Sequence, residues 1–324
     1  MICLVTGSTG FIGSHLCQAL IEQGHLVRAF HRTSSSTVAL DGFAVDHVLG
    51  DILDLDSLIR AMTGVHLVFH AAARAAHWRD CAALVETTVA GTANVLRAAQ
   101  AAGVRRVVYT SSLAALGVPR RGELLTEASQ FNFSPRRWPY GYAKHLAEQE
   151  VRAATDAGLD CVIVNPASVL GPGDLNLISG ALIIEVAHRR IPALTSGGMN
   201  LVHVADVVAG HLAAAEHGRT GERYILGGEN LPHTETIRAI AKEVGVRWPK
   251  LLVPAPAVWL AASAVDLVNP IARLPYSGNL LRLTVHRFYC DITKSHSELG
   301  LAEPRPVRQA IHEAVQWYRE HGYL

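Results

Sequence analysis

Through the first half of the chain, short apolar and β-branched runs alternate with longer stretches whose apolar positions recur every three or four residues. The runs Ile2 to Thr6, Leu26 to His31, His47 to Leu49, Leu67 to Ala71, Arg106 to Ser111 and Cys161 to Asn165 read as strands. Between them Phe11 to Gln23, Leu55 to Met62, Asp80 to Ala102 and Tyr140 to Ala157 read as helices, most with Gly or Thr-Gly near the end. Strand and helix in strict alternation is the signature of βαβ units, so the pattern predicts an α/β fold built on a doubly wound parallel sheet.

After Pro166 the pattern breaks up. Gly171-Pro172-Gly173, Gly197-Gly198, Gly227-Gly228 and the prolines from Pro249 onward interrupt short helices, before a last helical run from Val307 to Tyr318. This predicts a core domain over 1–165 and a smaller, irregular C-terminal substrate region over 166–324, some of whose segments return to the core. The region is expected to cap the carboxyl edge of the sheet, where open α/β sheets bind ligands. Its most apolar window, Leu251 to Val268, carries Pro254, Pro256 and Asp266 and falls short of a membrane span, so it reads as a buried or cavity-lining helix.

Composition removes several classes. A chain of 324 residues with 49% hydrophobic and 18% charged positions folds without disulfides or metal. Against 28 acidic residues stand 29 Lys and Arg, and the basic pairs are dispersed, which argues against nucleic acid as a partner. Five widely spaced cysteines in apolar surroundings read as free thiols, and the start at Met1-Ile2-Cys3 has no basic leader, so a cytoplasmic location is expected. The 17 histidines show no metal-ligand spacing, and no metal is expected.

Thr6-Gly7-Ser8-Thr9-Gly10-Phe11-Ile12-Gly13 stands between the first strand and the first helix. Gly7 permits the tight turn, Gly10 the approach of a pyrophosphate, and Gly13 close packing of helix on sheet, while the helix N-terminus offers N–H groups and a positive dipole end. The sheet is thus of Rossmann type and its ligand a dinucleotide. Where an NAD site places a ribose-binding carboxylate, this chain has Phe30-His31-Arg32-Thr33, and a guanidinium suits a 2′-phosphate, so NADP is preferred with NAD as the alternative. Asp51, before Ile52, reads either as a partner of the adenine amino group or as a cap for the next helix.

Tyr140 and Lys144 lie one turn apart at the start of a predicted helix. A phenol of pKa about 10 is a poor acid at neutral pH, and an ammonium about 4 Å away is expected to lower it by roughly three units. Ser112, after the fifth strand, offers a hydroxyl to orient a carbonyl.

Together with Gly50-Asp51, His70 to Ala73, Gly91 to Val95, Thr110 to Ser112 and Asn165-Pro166 to Asp174, these motifs resemble the extended short-chain dehydrogenase/reductases, the epimerase/dehydratase superfamily. The resemblance implies that Ser112 is the catalytic serine, Tyr140 the general acid and Lys144 the residue that tunes the tyrosine and holds the nicotinamide ribose. It assigns the pyrophosphate to Phe11 and Ile12 within the Gly7, Thr9, Gly10 and Gly13 loop, and the adenine to Asp51 and Ile52. Ala71, Ala72 and Ala73 fall near the adenosine ribose, with His31, Arg32 and Pro166 completing the cofactor set. It also implies a homodimer through the fourth and fifth helices.

Two departures matter. Thr88 replaces the usual Asn of the fourth helix, and Met199 stands where nucleotide-sugar enzymes place a phosphate-binding Arg. With Val27 to Arg32, the second moves the resemblance to the dihydroflavonol-reductase-like branch. The expected activity is therefore hydride transfer between NADP and a ketone or secondary alcohol on a small, fairly apolar molecule. A sugar or nucleotide-sugar epimerase with retained NAD(P) is the enzymatic alternative; an NADP-sensing regulator is the other, though it has no use for Ser112, Tyr140 and Lys144 together. Asn165, His77, Trp78 and Trp138 are the candidate substrate contacts, whereas His203 and Asp206 read as structural.

Overall fold

A computed structural model describes residues 1–73, 81–272 and 277–324, the side chains of 81–82 and 270–272 excepted. His77 and Trp78 lie outside the described residues. The first half alternates β1 (Ile2–Thr6), α1 (Phe11–Glu22), β2 (Leu26–His31), β3 (Val45–Leu49), α2 (Leu55–Met62), β4 (Leu67–His70), α3 (Cys81–Ala101), β5 (Arg106–Thr110), α4 (Pro139–Asp156) and β6 (Cys161–Pro166). Beyond it run β7 (Ser168–Leu170), α5 (Ala181–Ala187), β8 (Leu194–Thr195), β9 (Gly198–His203), α6 (Val204–His217), β10 (Arg223–Leu226), β11 (Glu229–Pro232) and α7 (His233–Val244). The chain closes with β12 (Leu252–Val253), α8 (Ala255–Ala272), α9 (Gly278–Leu283), β13 (Arg287–Phe288), α10 (Thr293–Leu299) and α11 (Val307–Glu320).

The main sheet is all parallel, in the order β10-β6-β5-β4-β1-β2-β3. The strand order reverses beside β1 and β4, and that crevice is where ligands collect in such sheets. Sequence periodicity predicts six of these strands. The seventh, β10, returns from the second region to pair with β6, and it was missed because four residues bounded by glycines carry too short a pattern to register.

Continuous burial explains why the strands form. Leu4, Val68, Val107 and Ile163 face one layer of helices, α2 to α4, while Val5, Phe69, Val108 and Val162 face α1 and α6 on the other. Both faces of a parallel sheet are thereby covered. The second region has a core of its own, in which Ile183, Leu201, Ile240, Ile311 and Val315 meet. Helix ends follow local chemistry: Asp54 caps α2, its carboxylate accepting from the N–H groups of Asp56 and Ser57 at 3.1 and 3.2 Å.

The Leu251 to Val268 window lines the cavity through Val253, Val258 and Ala261, as expected, but it is not buried all round. Val258 and Ala262 on α8 are buried, but Leu260 and Leu267 on the opposite side are 74% and 80% exposed, so α8 covers the protein with one face only. Cys3, Cys17, Cys161 and Cys290 are free and buried, and burial pushes their thiols up, to about 11 for Cys3 and about 12 for the others.

Candidate active site

β1 turns into α1 through the glycine loop. Gly7 stands at φ +68°, and a Cβ there would come within 2.7 Å of the Ala72 backbone; a Cβ on Gly13 would lie 2.1 Å from the Gly7 carbonyl oxygen. Only glycine allows these three backbone segments to approach so closely. A Cβ on Gly10 would meet nothing nearer than the Gly7 oxygen at 3.1 Å, and the space above the loop is open. α1 is preceded by Gly10, which offers no side-chain cap, and has no acidic residue in its first turn, so its N–H groups and positive dipole end suit a phosphate.

The rest of the nucleotide arm is built from strand ends. Thr6 of β1 is hydrogen-bonded to the ring of His70 on β4 at 2.7 Å, and that ring reaches Thr92 of α3 at 3.1 Å, which fixes the segment leading into Ala71, Ala72 and Ala73. Burial and the nearby Lys144 pull His70 down to about 3, so the ring is neutral. Arg32, just past β2, is exposed and forms no ion pair among the described residues. His31 beside it is held by His47 at 3.0 Å. Asp51 does not cap α2, a role Asp54 fills; its carboxylate instead accepts from the Leu53 N–H at 2.9 Å. Every residue that the sequence assigned to the dinucleotide lines a single cavity of about 1800 Å³.

Ser112, Tyr140 and Lys144 line the same cavity. Ser112 follows β5, its hydroxyl accepting from the Ala114 N–H at 3.2 Å, and α4 brings Tyr140 to it. Burial raises the Tyr140 phenol above its usual value, and the hydrogen bond with Ser112 opposes the rise. One turn on, Lys144 is 3% exposed, with Nζ donating to the Thr110 carbonyl at 2.7 Å and lying 5.1 Å from the Tyr109 ring centre. Burial draws it down to about 8 against the pull of Glu148. The expectation that Lys144 lowers the phenol is not met in this arrangement. Its ammonium is engaged by Thr110 and its own charge is weakly held, which leaves Ser112 as the group that lowers Tyr140.

A second tier was not foreseen. Glu148, one further turn along α4 and 1% exposed, accepts from Ser111 at 2.5 Å and from Asn165 at 2.6 Å, and pairs with the buried Arg223 of β10 at 3.0 Å. Asn165 also donates to the Ser112 carbonyl at 2.9 Å. It therefore stands behind the serine, fully buried, and not against a substrate as the sequence suggested. The available signal was the i, i+4 spacing from Lys144 to Glu148, a carboxylate inside an otherwise apolar stripe of α4.

Trp138 walls the far arm of the cavity, its ring 5.2 Å from that of Phe288 and 6.1 Å from that of Phe133. Beyond it Ile178, Leu182, Ile191, Ile237, Val258 and Leu281 line the space. Two polar pairs there are already engaged, while the buried Thr236 hydroxyl has no partner among the described residues. Thr195 and His233 bond each other at 2.9 Å, and Arg190 is paired with Glu185 at 3.1 Å. Met199 lines this arm as well. His203 and Asp206 act structurally: the first caps α6 and pairs with Glu313 at 2.9 Å, and the second accepts from the backbone and guanidinium of Arg305.

The model of the NAD dependent epimerase/dehydratase family matches residues 3–227. A Synechocystis protein provisionally named dihydroflavonol 4-reductase is 38% identical over 330 residues, with 99% of this chain and 95% of that one covered. Sterol demethylase protein B of Methylococcus capsulatus is 35% identical over 333 residues, the full length of both. Among solved structures, that of gox2253 matches with a TM-score of 0.89 at 34% identity, covering 100% of this chain and 99% of the other. The chain belongs to the NAD dependent epimerase/dehydratase family, as an extended short-chain dehydrogenase/reductase of the dihydroflavonol-reductase-like branch and an NAD(P)-dependent oxidoreductase.

Proposed function

We propose that the protein is an NADP-dependent reductase of ketones carried on fairly apolar molecules, catalysing the reverse oxidation of secondary alcohols as well. The observation that carries this reading is the placement of the Ser112 and Tyr140 hydroxyls between two unlike arms of one cavity: a glycine-loop arm ending at the unpaired Arg32, and an aliphatic arm beyond Trp138. The glycine loop and the open end of α1 would hold the pyrophosphate, and Arg32 a 2′-phosphate. When bound, the nicotinamide supplies or accepts the hydride. The chain does the rest. Ser112 orients the carbonyl oxygen, Tyr140 gives it the proton, and Lys144, held by Thr110, sits one turn below the tyrosine. Names of two relatives, a dihydroflavonol reductase and a sterol demethylase component, agree with a polycyclic apolar substrate.

A nucleotide-sugar epimerase needs a cation for the diphosphate. Here Met199 occupies the expected place, and Arg190 in the same arm is paired with Glu185. The test is NADPH consumption against a panel of aryl, alicyclic and steroidal ketones, alongside uridine and thymidine diphosphate sugars. Turnover of the ketones with release of oxidised cofactor is expected. Turnover of a nucleotide sugar with cofactor retained would overturn the reading.

A further inference from the structure

The last third of the chain exposes an apolar surface, of which only Ala261 and Leu280 also line the cavity. α8 packs against α9, with Val258 and Ala262 turned inward. On its outer side Ala257, Leu260, Ala261, Ala264, Leu267 and Val268 are all exposed and fall in one stripe at helical spacing. Just before α8, Trp248, Leu251 and Leu252 are 37%, 65% and 54% exposed, and Leu280 on α9 is 48% exposed. Large apolar side chains scattered singly over a surface are ordinary; a stripe gathered along one side of a helix, as on α8, marks a contact.

Charge identifies the contact. Among the described residues from 247 to 287 there is one carboxylate, Asp266, which Arg282 holds at 2.6 Å. Arg247 and Lys250 stand exposed beside Trp248, and the Arg137 guanidinium lies 5.8 Å from the Trp259 ring centre. A second copy of this face would bring cations against cations. An apolar helical stripe edged by tryptophan and unpaired cations fits the headgroup boundary of an anionic bilayer. No helix among the described residues is long and apolar enough to cross a membrane, so the helix would lie in the plane of the interface.

We propose that the outer face of α8, with Trp248, Leu251 and Leu252, seats the protein on an anionic phospholipid surface. The inner side of the same helix lines the cavity through Val258, so docking places the apolar arm of the site next to lipid. The docking itself does not depend on the reaction proposed above.

The test is flotation of the full chain with vesicles of equimolar phosphatidylglycerol and phosphatidylcholine, and with phosphatidylcholine alone. The chain should float with the anionic vesicles and bind at least about tenfold more weakly to neutral ones or in about 0.5 M NaCl. Leu260→Glu with Leu267→Glu should lower binding at least about tenfold while the melting temperature stays unchanged, because both positions already face solvent. Leu260→Ser with Leu267→Ser serves if the charged pair alters folding. No flotation with anionic vesicles, or flotation untouched by these variants, would overturn the proposal. So would a wild-type dimer that the variants split without any vesicle binding, since the stripe would then be a self-contact.

Discussion

Glu148→Gln tests the second tier directly, because it keeps the shape of the side chain and removes its charge. In the native site one carboxylate oxygen accepts from Ser111 and Asn165 and the other from Arg223. A glutamine cannot satisfy all three. With its oxygen toward Ser111 and Asn165, its amide donors face the Arg223 guanidinium; flipped, they face the Asn165 amide. Breaking a buried ion pair by removing one partner costs about 3–5 kcal/mol. Arg223 keeps its bonds to the Glu127 and Ser129 carbonyls, so the lower end, about 3 kcal/mol, is the expected loss. At a slope of about 3 kcal/mol/M that displaces the urea midpoint by about 1 M. A second readout separates positioning from plain destabilisation. Glu148 is the group that holds the Lys144 charge up against burial, so its removal lowers Lys144 below about 8. The high-pH limb of kcat/KM for carbonyl reduction should therefore move to lower pH, with activity falling at pH values where the wild type is still on its plateau. If the midpoint shifts by less than about 0.2 M and the limb stays where it was, Glu148 neither anchors the site nor sustains the lysine charge, and the reasoning fails.

Three further outcomes are expected. Arg32→Ala should erase a preference for NADPH over NADH of at least about tenfold, near 1.4 kcal/mol, in fluorescence titrations of both cofactors; equal affinities in the wild type would remove the basis for NADP. Tyr140→Phe should lower reduction by roughly two to four orders of magnitude with cofactor affinity nearly intact, and Ser112→Ala should cost less because the proton source remains. Lys144→Met should abolish most activity yet be at least as stable as the wild type at neutral pH. Between about 8 and 10.5 the unfolded lysine holds a proton that the folded one has released, so wild-type stability gains from rising pH across that window and the variant lacks the gain. Urea midpoints at both ends of the window measure it, and a strongly destabilised variant at neutral pH would contradict the burial penalty.

The parts of the molecule that were legible in the sequence are those in which function and local periodicity coincide. The glycine loop, the strand ends and the Tyr140 to Lys144 turn each lie within a few residues of one another and at a fixed phase to a strand or helix, so reading the pattern placed them on the correct edge of the sheet. Glu148 was legible in spacing but not in role, because its partners Ser111, just past β5, Asn165 on β6 and Arg223 on β10 are gathered only by the folded chain. Asn165 was misjudged for the same reason. A polar residue at a strand end is equally able to face a ligand or the back of the site, and its direction depends on what lies behind it. The aliphatic arm is drawn from scattered positions between Ile178 and Leu281 in short, glycine-broken segments whose periods are too brief to phase.

The displaced pKa values also bear on direction. The sequence suggested a tyrosine made acidic by its lysine, which would place a phenolate within reach at neutral pH. The folded chain does the opposite: burial raises Tyr140, and Lys144 is turned to the Thr110 carbonyl and held near 8. A phenol that keeps its proton at neutral pH is already in the form needed to donate to a carbonyl oxygen, with Ser112 hydrogen-bonded to it. Alcohol oxidation requires the deprotonated form, which this environment opposes until the pH is well above neutral. The protein residues around the tyrosine thus keep it in the form that reduction needs near pH 7, through burial and against the opposing pull of the Ser112 hydroxyl, and the lysine charge acts elsewhere than on the phenol.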